Sequence, residues 1–148
     1  MKTFGKPEVR DAVRRRVESL TPANERRWGK MTVTQMLRHL DGAQNLVLEN
    51  DEFPPMRRQS ALIKVLALRT PLPWPKGVPT GRDPLAVDGG LEEFEECRDR
   101  VAGGIGRFGN WTKTHDTPVH PVFGDLSTWE WLRWAFKHAD HHLRQFSA

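Results

Sequence analysis

The chain has 148 residues and a formal net charge of +4, a size that suits one domain with a sizeable core. Its single cysteine, Cys97, excludes an internal disulfide and any cysteine-based zinc cluster, and the absence of Tyr removes the phenol as a catalytic acid or base. The positive charge is dispersed in short arginine clusters at 14–16, 26–27 and 57–58, without a zinc-finger spacing, RNP motif or glycine-rich phosphate loop, so solvated helix faces are expected and nucleic-acid binding is not.

The N-terminal MKTFGKPEVRD carries no apolar run of the kind a signal peptide needs. PEVRDAVRRRVESL, 7–20, then predicts a first helix, with Val9, Val13, Val17 and Leu20 on one face and arginines on the other. Thr32 followed by Gln35 is a capping-box pattern that starts a second helix at about 33–49. RRQSALIKVLAL predicts a third at about 57–68. Its most apolar part, ALIKVLAL, is eight residues interrupted by Lys64 and cannot cross a bilayer, so no membrane association and a cytoplasmic location are expected. A loop rich in Pro and Gly follows at 70–84, with Trp74 inside it, and reads as a crossover or a lid. GLEEFEECRDRVAGGIGRF predicts a fourth helix with Leu91, Phe94, Val101, Ile105 and Phe108 at helical spacing. Ser127 and Glu130 form a second capping box and start the last helix, 128–146. No segment alternates with period two over strand length. Residues 1–148 are therefore expected to form a single all-α domain of about five helices, a bundle.

Six histidines fall unevenly on this scheme, three of them in FKHADHHLRQF at 136–146. At 100° per residue, Arg133, Lys137, Asp140 and Arg144 gather on one side of the last helix, which is expected to face solvent. Leu132, Ala135, Phe136, Ala139, Leu143 and Phe146 fill the opposite arc. His138 and His142 flank that arc and turn inward, while His141 borders the charged side. On the second helix Arg38, Asp41, Asn45 and Glu49 mark the solvent face, and His39 lies beside the apolar Met36, Leu40, Ala43 and Val47. Two imidazoles spaced i, i+4 converge on one point, and His39 brings a third from another helix. Three inward imidazoles are costly to bury without partners, and a divalent metal satisfies all three while leaving positions open for water or substrate. His115 and His120 lie in a loop ahead of the last helix. His120 is offset from His138 by roughly 15 Å of helix axis, which makes it a local hydrogen-bonding residue rather than a fourth ligand.

WGKMTVTQMLRHLDGA, 28–43, and HPVFGDLSTWEWLRWAFKHADHHLRQF, 120–146, together resemble the DinB-like superfamily, and within it a small branch of uncharacterised function beside the YfiT-like metal-dependent hydrolases. The resemblance implies a four-helix bundle with a long crossover, often dimeric. It also implies a divalent metal, zinc or nickel, held by His39, His138 and His142. Relatives of this kind include transferases that use a low-molecular-weight thiol and proteins assigned as hydrolases.

An ion held by three neutral imidazoles keeps its full charge and can acidify water or a thiol. The expected function is therefore metal-dependent hydrolysis or thiol-dependent S-transfer on a small molecule. The competing reading is a non-catalytic bundle that serves binding or dimerisation. Gln35 and Gln145 are candidates to support the ligands from the second shell, or are ordinary surface glutamines. Trp131 and Trp134 are candidates for a pocket wall, or are core aromatics. No carboxylate lies on the inward arcs of the two histidine-bearing helices, so the sequence names no general base, and a homodimer is the expected assembly.

Overall fold

A computed structural model describes residues 1–53, 55–77 and 91–148. Its helices are α1 (Pro7–Glu18), α2 (Val33–Leu48), α3 (Ala61–Arg69), α4 (Leu91–Arg107) and α5 (Thr128–Gln145). Among the described residues no strand forms; one isolated antiparallel bridge joins His120 and Gly124. The part of the predicted 70–84 loop beyond Gly77 lies outside the described residues.

The local signals act as their chemistry dictates. Pro7 occupies the first turn of α1, where a missing N–H costs nothing. Both predicted capping boxes are present: the Thr32 and Ser127 hydroxyls accept the backbone N–H groups of Gln35 and Glu130, whose side chains reach back. The third helix starts later than its periodicity suggests, because the Ser60 hydroxyl accepts from the Ile63 N–H and stops the helix from extending to 57.

Helices α1, α2, α4 and α5 form the bundle, and the short α3 lies against α5. Val13 and Val17 of α1, Met36 and Leu40 of α2, Phe94 and Val101 of α4, and Trp131 and Leu143 of α5 meet in its core. Leu91, expected on the apolar face of α4, is exposed at the helix start. The ion pair of Arg38 with Glu93 and that of Asp41 with Arg100 rim the contact of α2 with α4.

One expectation about α5 is overturned. Arg133 and Lys137, assigned to solvent by helical projection, are buried at 2% and 4% exposure. The cause is the end of α3 and the chain that follows it, which fold over this flank of α5. The last carbonyls of α3 have no partner within the helix. The Thr70 hydroxyl takes that of Leu66, the Trp74 indole N–H that of Ala67, and the Arg133 Nε that of Leu68. Arg133 also donates to the carbonyls of Lys2 and Thr70, and Lys137 donates to that of Leu72. The two cations thus fasten a crossover segment onto α5. Asp140 and Arg144 remain partly exposed, as expected, and they pair with each other.

Candidate metal centre

His39 on α2 and His138 and His142 on α5 come together between the two helices, with one ligand nitrogen from each within 4.8 Å of the others. The ring centroids stand 4.9 Å apart for His39 and His138, 4.8 Å for His39 and His142, and 4.9 Å for His138 and His142. His39 Nε2 and His138 Nε2 are separated by 2.9 Å. Two nitrogens at metal-ligand distance from one ion, about 2.0–2.1 Å each, lie roughly 2.9–3.4 Å apart for angles between square and tetrahedral, so the spacing fits shared coordination.

Gln145 fixes the orientation of the third ring. Its amide nitrogen donates to the Trp28 carbonyl at 2.7 Å, which leaves its amide oxygen facing His142 Nδ1 at 3.1 Å. An amide oxygen only accepts, so Nδ1 carries the proton and the Nε2 lone pair of His142 is free to bind a metal. The arrangement requires a glycine at 29. Its φ is +83°, and a Cβ there would lie 2.2 Å from the Gln145 amide nitrogen. The Arg27 N–H donates to the Gln145 carbonyl at 2.7 Å, a second tie between the chain ahead of α2 and the end of α5.

Gln35 is placed differently. Its side-chain oxygen accepts the Thr32 N–H at 3.0 Å, a capping contact rather than one with an imidazole.

Burial keeps the three rings neutral. Desolvation, followed by the charge of His141, lowers the His39 pKa to about 4. Desolvation and then His39 lower that of His142 to about 3, and burial with the neighbouring imidazoles holds His138 well below the ordinary range. All three therefore offer lone pairs at neutral pH. Among the described residues no carboxylate or thiol joins the cluster.

The aromatic surroundings divide between wall and core. Trp134 stacks on His138 at 5.0 Å and 23°. Trp131 is fully buried among Phe53, Trp111 and His120, so it belongs to the core. Trp74, carried by the segment that Arg133 and Lys137 hold down, stands 6.2 Å from the rings of both His138 and His141. That segment covers part of the cluster, and sequence periodicity carried no signal of it.

His141 is also buried, at 7% exposure, where projection placed it beside the charged face. The same fold-over accounts for this, because Trp28 and Trp74 close around it. His120 stays outside the cluster and makes local bonds: its Nδ1 accepts the N–H groups of Val122 at 3.1 Å and Phe123 at 3.2 Å. It is nevertheless nearer than its axial offset suggests. The 120–124 turn folds back along α5, so that only Trp134 separates its ring from that of His138.

No helix among the described residues is long and apolar enough to cross a membrane. No curated protein and no solved structure gives a match to this chain. The DinB superfamily model, by contrast, matches residues 8–146, a span that contains all three clustered histidines, and the chain belongs to that superfamily.

Proposed function

We propose that the protein is a metal-dependent enzyme in which His39, His138 and His142 hold one divalent ion, zinc or nickel, and which hydrolyses a small molecule or transfers a low-molecular-weight thiol to it. The observation that carries this reading is the convergence of three neutral imidazoles with no carboxylate among them, one held in its ligating tautomer by Gln145. Imidazole suits zinc and nickel alike. An ion held there supplies Lewis acidity that no carboxylate cancels, and so acidifies water or a thiol.

The remaining work falls to the chain's own residues. Gln145 and the Trp28 carbonyl orient His142. Trp134 offers a flat apolar wall against His138, and Trp74 limits the access of water from the crossover side. A small-molecule substrate and a homodimer belong to the same reading; sedimentation of the native chain measures the latter.

The reaction class is tested by assaying zinc- and nickel-loaded protein against ester and amide substrates, and against electrophiles with a low-molecular-weight thiol. Turnover that disappears in H138A/H142A is expected. Equal turnover by that variant places the chemistry elsewhere. Ordered metal binding without turnover in either panel favours a non-catalytic bundle.

A further inference from the structure

Beside the histidine cluster, on the far side of Trp28, lies a cleft of about 390 Å³ lined by Arg27, Trp28, Lys76, Arg144, Ser147 and Ala148. Three cations border it. Arg144 is engaged by Asp140, which also binds Arg16, and Arg16 reaches the Ala148 carbonyl. Among the described residues neither Arg27 nor Lys76 forms an ion pair. The Arg27 Nε donates to the Ser147 hydroxyl, and the Lys76 ammonium stands 4.8 Å above the Trp28 ring. The volume falls in the range of small-molecule sites rather than that of an extended nucleic-acid track.

The cleft is joined to the metal centre through covalent neighbours and hydrogen bonds. Trp28, which forms its floor, accepts through its carbonyl from Gln145, and Gln145 faces His142. The Trp28 ring also meets His141 at 6.1 Å, and His141 meets His142 at 5.2 Å. The Nδ1 of His141 is buried and has no hydrogen-bond partner among the described residues. One cation over an indole and a second on the adjacent residue, neither ion-paired among the described residues, flank the group that orients a ligand and make a place to anchor a negative charge.

We infer that this cleft binds the oxyanion group, carboxylate or phosphate, of a small molecule, with Arg27 and Lys76 as its charge partners and Trp28 as its floor. The binding itself does not depend on a metal. That the bound molecule is the substrate or co-substrate of the neighbouring centre rests on the function proposed above.

The test is calorimetric titration of the full chain with inorganic phosphate and with succinate, each with the metal removed and with zinc added. Expected is saturable one-to-one binding of at least one anion without metal, weakened on the order of tenfold in K76Q and in R27Q. Lys76 lies on an exposed segment, so K76Q keeps the fold, and its circular dichroism verifies this. The stronger probe of the two identifies the anion class. Binding that requires zinc and ignores K76Q makes the anion a ligand of the metal and overturns the cleft. Absence of saturable binding, or displacement of the anion by a short DNA duplex with higher affinity, overturns it as well. Anion binding that persists in H138A/H142A leaves the cleft standing whatever becomes of the metal centre.

Discussion

One buried histidine and a cluster of three sit within one aromatic ring of each other, yet they are built to opposite ends. His120 is 4% exposed, and its Nδ1 is used by two backbone N–H groups of its own turn. Phe53, Phe123, Trp131 and Trp134 surround its ring. In the cluster of His39, His138 and His142 the rings face one another, and among the described residues the one polar support from outside goes to the back of His142. Burial lowers both sets: His120 falls to a pKa of about 3, with Lys64 adding to the effect, and His142 to about 3. Neutrality alone therefore does not make a ligand. What separates the two is what the ring nitrogens face: backbone N–H groups at His120, and one another at His39 and His138.

The largest effect that sharpens this contrast is on metal affinity. H142A is expected to lose roughly a hundredfold or more in zinc affinity by calorimetry, whereas H120A stays within a few-fold of wild type. Equal losses in the two would erase the distinction.

Stability should reverse the ranking. H120A strands two backbone donors and opens a space among aromatics, for a loss of about 3 kcal/mol in urea unfolding. Metal-free H39A, which removes a ring facing other imidazoles, should cost clearly less.

A pH series on the metal-free protein follows. The folded pKa values of His39, His120 and His142 lie below the unfolded value of 6.5, so the unfolded chain binds more protons as pH falls. The histidine contribution should be full above pH 6.5 and decline as pH drops towards 4 and below. H120A should flatten part of that slope, and a slope unchanged in H120A would remove His120 from the account.

Q145L should then weaken zinc by roughly 10–100-fold through the loss of His142 orientation. G29A, which forces Gln145 aside, should give a smaller loss in the same direction. A G29A protein with wild-type zinc affinity would show that the Trp28–Gln145–His142 chain does not position the ligand.

Much of this was legible in the sequence because it is local. Ser127 with Glu130, and Thr32 with Gln35, set the starts of α5 and α2, and the phase of each helix then turns His39, His138 and His142 inward. The errors on α5 have one non-local origin. Projection assigns Arg133 and Lys137 to solvent because it sees only their own helix, whereas the unpaired carbonyls at and beyond the end of α3 recruit them. The same fold-over buries His141 and brings Trp74 to the cluster. Gln35 could have been assigned from sequence, since a residue that completes a capping box has its side chain already engaged. Gly29 carried a signal only in hindsight of the Gln145 contact, a meeting of residues 116 positions apart.

The central claim, that the cluster is a metal centre, is tested most directly by elemental analysis of tag-free native protein, before and after reconstitution with zinc or nickel. The account predicts one divalent ion per chain in the wild type and none in H138A/H142A. A wild-type chain that holds no stoichiometric ion after reconstitution, or a double variant that holds as much as the wild type, would contradict it.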